Sequence, residues 1–548
     1  MKKITNLSLA LMIMCLCSVF NLHAQFSGGG SGTASDPFQI KTADDLNNVR
    51  NYLGDSNANK HFRLMNDIDL TAFLQDSTEG WLPIGDSNTN YFTGYFHGGG
   101  HTINGLWIDR PTTDYVGLFG YVGIYSAPAT IDSVGVSISE NNIIGGDVTG
   151  GLIGCCSSYS TIIACHVTGG EVSNNNYADT YCGGLIGINS YGTITNCYAT
   201  NNSFSSSSSN HAYCGGLIGY NLGTVSKCYA SGNSSVYYTL YSYFDIPFAY
   251  TGGLIGLNSS GTVNNCYASG NSSAYSTNSN SSSCYYAYSG GFIGANPAGT
   301  VNNCYATGNS SVTDAFSAIS GGFIGSNKGG KVNNCYAIGN SSASGSYSSF
   351  ASSGGFVGSY LRYDGKISNC YAVGQVSSSY YKGAFAGEYY SSYNILSQCY
   401  YNSDINESMS GIGVVDDDTS GSNIIALGKS STEMQMQSTF VNWDFSTIWA
   451  IKEGSSYPYF QWQDNNSLSG IQTIPANHNS IAVYPNPTRG IAFVECEKNM
   501  SIQVYSLSGS LILQSISQSD KSSIDLSAYP KGIYLVKAGN KYARVIKK

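Results

Sequence analysis

A pentapeptide, Gly-Gly-Leu-Ile-Gly or a near copy of it, recurs eight times, beginning at Gly150, Gly183, Gly215, Gly252, Gly290, Gly321, Gly354 and Gly383. Each copy is followed by a cysteine: Cys165, Cys197, Cys228, Cys266, Cys304, Cys335, Cys370 and Cys399. The Gly-to-Cys offset stays between 13 and 16 residues, while the period wanders from 29 to 38. A fixed core with a variable spacer is the pattern of a solenoid, in which each repeat is one coil and insertions go to loops on one face. Such a molecule is first of all a long surface, so presentation and binding are the first functional expectation.

Composition narrows the class. Charged residues make up only 10% of the 548, against 66 Gly and 44 Tyr. Low charge with abundant Ser, Asn and Gly would suit a disordered chain, but 42% hydrophobic and 13% aromatic content argues for a folded, β-rich protein. The net charge of −9 is spread thinly, with no basic stripe, which argues against nucleic-acid binding. Lys2 and Lys3, the mostly apolar run Leu9 to Phe20 and the small Ala24 predict a secretory signal over residues 1–24. No second long apolar run follows, so no membrane span is expected in the mature chain.

Sixteen cysteines in a secreted chain invite a disulfide reading. Eight of them, however, share one repeat position, and stacking would place them in a column at roughly the 4.8 Å strand spacing. Direction and dihedral limits restrict bridging between such neighbours. The favoured expectation is a buried thiol ladder in which Cys acts as a small hydrophobe. Cys182 with Cys214, and the vicinal Cys155-Cys156, are the alternatives for bridges.

In the copy at Gly252, Leu254-Ile255 is a short strand, Asn258-Ser259-Ser260-Gly261 a turn, Thr262-Val263 a second strand, and Cys266-Tyr267-Ala268 a third. These are three faces of a coil. Val263 and Cys266 break the alternation of a strand, so a corner near Asn265 is expected, with Val263, Cys266 and Ala268 inward and Tyr267 outward. The residue after the Gly pair is Leu152, Leu185, Leu217 and Leu254, then Phe292, Phe323, Phe356 and Phe385. This single switch fits columns of matched volume. Asn196, Asn265, Asn303, Asn334 and Asn369 precede their cysteines and predict an amide ladder at the bend.

Tyr198, Tyr229, Tyr267, Tyr305, Tyr336, Tyr371 and Tyr400 each follow a ladder cysteine. If exposed, they form a flat stripe roughly 30 Å long at the sheet spacing. Aromatic faces of this kind suit sugar rings and partner proteins, and these seven are the candidate ligand-binding residues; the alternative is self-stacking that shields the sheet. The Ser-, Asn- and Tyr-rich spacers 233–250 and 271–289 fit either binding loops or plain solvated loops.

A search for chemistry finds little. No His-Glu-x-x-His or Gly-x-Ser-x-Gly motif is present. His97 and His101 lie in a glycine turn without the helix that would align two ligands, and neither metal nor cofactor is expected. Glu171, Asp179, Asp245, Asp314 and Asp364 are scattered over the repeats, unlike the paired carboxylates of a glycan-cleaving site. Asp416-Asp417-Asp418 suits a solvated turn better than a Ca²⁺ loop. The chain is expected not to be an enzyme.

The pattern GGLIG…GTV-x-NCYA-x-G resembles the GLUG repeats of bacterial surface proteins, which also accompany some IgA-cleaving zinc metallopeptidases. The resemblance covers 146–402. Residues 25–145, including a capping-box-like Thr42-x-x-Asp45, resemble the N-terminal cap and irregular first coils of such proteins, and 403–462, ending in Trp443 to Trp462, a closing segment. After a polar linker, 463–480, residues 481–548 show short alternating strands that suit a small β-sandwich. Tyr484-Pro485-Asn486-Pro487, Gly509, Pro530-Lys531-Gly532 and the basic end resemble the type A C-terminal sorting domain of the type IX secretion system. That resemblance implies a member of the Bacteroidetes, export by the type IX machinery across the outer membrane, and attachment to surface lipopolysaccharide. The expected fold is all-β, a right-handed parallel β-helix solenoid followed by a small Ig-like β-sandwich. The expected role is an adhesin-like, non-catalytic surface protein with an unknown glycan or protein ligand. A purely structural surface-layer or stalk protein and a carbohydrate-active β-helix enzyme are the alternatives.

Overall fold

The computed structural model describes residues 26–464, apart from 177, 208–210, 239–246, 277–285, 346–349, 362–364, 391–394 and 416–423, and most of 483–547. It comprises two compact units, Met1–Phe460 and Gln461–Lys548.

The first unit is a parallel β-solenoid of about 10 turns. One turn runs through five short strands: Phe248–Gly252, Ile255–Asn258, Thr262–Asn264, Tyr267–Ala268 and Ser272–Ser276. Each strand pairs in parallel with its counterpart on the next turn, so like meets like: Gly252 with Gly290, Ile255 with Ile293, Val263 with Val301, Tyr267 with Tyr305 and Ser272 with Ser310. The coil has three parallel sheets, but they are not the three faces inferred from the repeat: Thr262–Asn264 and Tyr267–Ala268 share the largest sheet with Ser272–Ser276, Ile255–Asn258 lies in the second, and the third is built from the strand before the Gly pair, Phe248–Gly252.

The interior is a stack of columns. Val263, Cys266 and Ala268 belong to the continuous core and Tyr267 does not, as the expected corner requires. That corner is Asn265, at φ 53°, a left-handed conformation that Asn tolerates better than most residues. Asn196, Asn303, Asn334 and Asn369 share it at φ 51–56°, and Ala164, Lys227 and Gln398 adopt it on their own turns. The bend therefore belongs to the coil, and Asn relieves its strain. Asn also links the turns: Asn303, Asn334 and Asn369 each donate an Nδ2–H to the Oδ1 of the preceding Asn at 3.2–3.3 Å. Replacing Asn265 with Val forces a β-branched residue into that region and removes one rung of the ladder. A loss of about 2–3 kcal/mol is expected from urea unfolding, with Asn265→Gly recovering most of it.

The Gly-Gly pair answers to space. A Cβ on Gly252 would lie 2.0 Å from the Ile255 carbonyl oxygen, and one on Gly253 2.2 Å from that of Gly291. Neither glycine has a positive φ, so close backbone approach, within the turn at Gly252 and to the next turn at Gly253, rather than conformational freedom, fixes the pair. Beside it the Leu-then-Phe column is fully buried, with Phe292, Phe323, Phe356 and Phe385 stacked at 4.7–5.0 Å.

The N-terminal end is closed by a helix, Ala43–Asn48, which begins with the full capping box of Thr42 and Asp45. Phe26, Phe38, Tyr52 and Phe62 pack against one another there. The second unit consists of two antiparallel sheets around its own core. One holds Val483–Tyr484, Ile491–Glu495 and Lys521–Asp525; the other holds Leu511–Ile516, Ser501–Ser506, Gly532–Ala538 and Lys541–Lys547.

Candidate functional site

The seven repeat tyrosines form the expected column on the outer side of the coil. From Tyr198 to Tyr371 the rings stack at 4.8–5.0 Å with interplanar angles of 10° or less, and His166 continues the stack below Tyr198. They do not form the exposed stripe that ligand binding requires. Tyr229, Tyr305, Tyr336, Tyr371 and Tyr400 are only 2–9% exposed, and Tyr198 and Tyr267 are half-buried. Two physical causes account for this. In-register stacking turns each ring face onto its neighbour, leaving only edges. The closing segment then lies over the upper turns: Phe460 packs on Tyr305 and Tyr336, Trp449 on Tyr336 and Tyr371, and Trp443 and Phe440 on Tyr371 and Tyr400. The Tyr371 hydroxyl donates to the Pro458 carbonyl at 2.6 Å. Burial pushes the Tyr267 hydroxyl up to about 12. The column is a packing element for most of its length.

A second tyrosine column, not read from the sequence, runs along the strand before the Gly pair. Tyr181, Tyr213, Tyr250 and Tyr288 stack at 4.8–5.3 Å. Its signal was the recurrence of Tyr two residues before Gly183, Gly215, Gly252 and Gly290.

The ladder cysteines are buried free thiols, as are Cys155, Cys156, Cys182 and Cys214. The backbone N–H groups of Cys165, Cys197, Cys228 and Cys266 each donate to the sulfur of the next cysteine at 3.3–3.4 Å. Each Sγ also points at the carbonyl two residues earlier, for example Cys304 to Asn302 at 3.1 Å. Burial pushes the thiols of Cys165, Cys197, Cys228, Cys266, Cys335 and Cys399 well up, away from the reactive thiolate.

The histidines of the glycine turn separate. His97 bonds Asp132 Oδ2 at 2.7 Å through Nδ1 and His61 Nδ1 at 3.1 Å through Nε2, whereas His101 faces Asp67 Oδ1 at 3.3 Å. Among the described residues no group of three or more His, Cys, Asp or Glu side chains is arranged to hold a metal ion. Asp416-Asp417-Asp418, Asp245 and Asp364 lie outside the described residues.

One acid that sequence reasoning missed stands out. Glu388, on strand Ala386–Tyr390, pairs in register with Ser359 and Val414, and burial raises its carboxyl to about 7 although the Ser352 and Ser359 hydroxyls favour the charged form. A carboxyl tuned in this way has the pKa of a general acid, but glycan cleavage needs a second carboxylate across the bond. Its effect on stability has a definite sign. The folded value lies above the ordinary 4.5, so the contribution is complete below about pH 4.5 and is lost as pH rises through about 7. Glu388→Gln is therefore expected to raise stability by about 1–3 kcal/mol at pH 8 and to leave it nearly unchanged at pH 4, read from urea melts at the two pH values.

In the second unit, Tyr484 and Gly532 lie on strands; Pro485, Asn486, Pro487, Gly509, Pro530 and Lys531 lie outside the described residues. Lys547 is buried, and its Nζ donates to the carbonyls of Leu526, at 2.6 Å, of Ser527, at 2.8 Å, and of Tyr529, tying the C-terminal strand to the loop after Asp525.

Residues 482–548 match the family described as the secretion system C-terminal sorting domain, and residues 179–204 the GLUG motif. The chain thus carries GLUG repeats and a type IX sorting domain, and it is secreted to the cell surface or the extracellular space. A Gly-rich membrane protein, provisionally so named, of Evansella cellulosilytica is 41% identical over 131 residues, 22% of this chain and 15% of its own length. Halomucin of Haloquadratum walsbyi is 33% identical over 167 residues, 29% of this chain and 2% of its own length. The chain therefore matches only a small part of each of these relatives. Among solved structures, a protein of Bacteroides ovatus, provisionally named an immunoglobulin A1 protease, aligns over 80% of this chain and 97% of its own at 19% identity and a TM-score of 0.37.

Proposed function

We propose that the solenoid is a surface-displayed, adhesin-like, non-catalytic binding element whose ligand is a glycan or a protein. A signal over residues 1–24 starts its export. The type IX machinery recognises the sorting domain, and surface lipopolysaccharide holds the cargo once that domain is removed. The observation that carries this reading is the pairing of a sorting domain with a stacked coil whose outward side chains are aromatic and hydroxylated rather than charged. A surface of that chemistry, delivered outside the cell, suits contact better than turnover. The stacked and covered tyrosine column favours a second reading, a purely structural surface or stalk protein, since that column already spends its aromatic faces on the coil. Binding of the full chain to an array of glycans and matrix proteins separates the two. Specific, saturable binding supports the adhesin. A folded chain that binds nothing supports the structural role. Release of sugar fragments that depends on Glu388 would overturn the non-catalytic reading.

A further inference from the structure

The end of each Gly-Leu-Ile-Gly strand, a buried Asn on the middle turns, is followed by a corner whose length changes from turn to turn. Strand register aligns Val122, Cys156, Asn189, Asn221 and Asn258 at its start and Thr130, Thr161, Thr193, Thr224 and Thr262 just after it. Between Val122 and Ala129 the corner holds six residues; between Cys156 and Ser160 it holds three, and between Asn189 and Gly192 two. Between Asn221 and Gly223 it holds one, Leu222, and the next turn returns to two. The corners thus descend as a terrace to a notch at Leu222. The notch is an open groove of about 470 Å³, with Thr224 beside Leu222 and Ser260 on the far wall.

The terrace carries a tyrosine on each of its three descending steps. Tyr125, Tyr159 and Tyr191 are 75%, 63% and 56% exposed, in contrast to the covered repeat column. Tyr125 and Tyr159 meet edge to face at 5.4 Å, and the Tyr159 N–H donates to the Tyr191 carbonyl at 3.3 Å. Tyr159 and Tyr191 sit at φ 60° and 66°. A bulky aromatic is a genuine outlier there, since glycine satisfies such a turn without strain, and strain held at an exposed position marks a site of use. Among the described residues, no charged side chain lines the groove.

We infer that this groove is a binding subsite for a neutral polysaccharide, an inference that rests on the binding role proposed above. The exposed rings offer apolar faces to the C–H faces of sugar rings. The Thr224, Ser260 and Thr262 hydroxyls offer donors and acceptors along the groove. The absence of charge on its walls favours a neutral chain over an acidic one, which would have no cation to meet. The groove is open rather than enclosed, which lets a polymer pass through instead of ending in it.

The test is affinity electrophoresis and calorimetry of the full chain with galactomannan, xyloglucan and soluble starch as neutral probes, hyaluronan as an acidic one, and collagen and fibronectin as protein ones. Binding to at least one neutral probe is expected, weakened at least tenfold in Tyr159→Ala/Tyr191→Ala and unchanged in Tyr275→Ala, an exposed tyrosine elsewhere on the coil. A second variant inserts one serine between Asn221 and Leu222, giving that corner the two-residue length of its neighbours. It fills the notch without touching the tyrosines, and the same loss is expected. Neutral binding that survives both variants overturns the site. Binding to hyaluronan or a protein alone overturns it while leaving the broader binding role standing. No binding to any probe overturns both.

Discussion

Asn258→Leu is expected to destabilise the solenoid by about 2–6 kcal/mol, although Leu and Asn are nearly the same size. Asn189, Asn221, Asn258, Asn296 and Asn327 form a ladder inside the corner, all fully buried. Each of the first four donates an Nδ2–H to the next Oδ1 at 2.8–2.9 Å. Asn258 also donates to the Gly261 carbonyl at 3.1 Å. Leucine would remove one of the two bonds to the Gly261 carbonyl, which keeps the Thr300 N–H at 2.9 Å, and would leave two groups without their partner: the Asn221 amide hydrogen and the Asn296 side-chain oxygen. Each costs about 1–3 kcal/mol when stranded away from water. The double variant Asn258→Leu/Asn296→Leu should cost less than the sum of the two singles by about 1–3 kcal/mol, because the bond between those two residues is lost once, not twice. Urea unfolding followed by tryptophan fluorescence checks both values, since four of the five Trp (Trp81, Trp107, Trp443 and Trp449) lie in the first unit and residues 483–548 contain none. Strict additivity would show that the ladder is a row of independent contacts.

Much of the coil could be read from the chain because stacking repeats the same demand at every turn. The Cys column, the Leu-to-Phe switch and the corner Asn were all legible as residues recurring at fixed offsets, and the structure places them in register. Part of what was missed depends on contacts between parts of the chain that do not repeat, whereas the second tyrosine column and the buried Asn ladder do recur and are recognised only by how they face. Tyr371 and Pro458 are 87 residues apart, so nothing in a single repeat announces that the tyrosine column is covered. Asn258 sits at the head of Asn-Ser-Ser-Gly, which looks like an ordinary turn until its burial shows that the amide faces inward. Glu388 belongs to one turn alone, and a column position that holds Ile188, Tyr220 and Leu257 on other turns gives no warning of an acid. The groove at Leu222 depends on differences in corner length, which only strand register reveals.

Trp449→Ala is expected to uncover the tyrosine column and to cost about 3–5 kcal/mol in the upper turns, the range for truncating a buried Trp. Trp449 is fully buried between Phe460 and Trp443, each with ring centroids at 4.5 Å, and it lies over Tyr336 and Tyr371 at 6.2 Å. It is the centre of the cover, while Trp443 is pinned at its edge by a hydrogen bond to the Gln398 carbonyl at 3.3 Å. In a solenoid each turn contacts only its neighbours, so the damage should stay local. Hydrogen exchange should therefore speed up on the strands Lys366–Ser368, Tyr371–Ala372 and Ile395–Asn402 and remain slow on Thr193–Thr195 and Thr224–Ser226. Trp449→Phe should keep most of the protection, because its ring still fills the space between Phe460 and Trp443. Loss spread evenly over all turns would mean that the closing segment stabilises the coil as one cooperative block. No loss at all would mean that in-register stacking alone holds the column, with the cover a passive overlay. The same variant also probes the role of the column itself. A ligand surface that had been occluded by the closing segment would gain affinity when uncovered. A packing element should gain none, and the bared rings should instead promote association between chains.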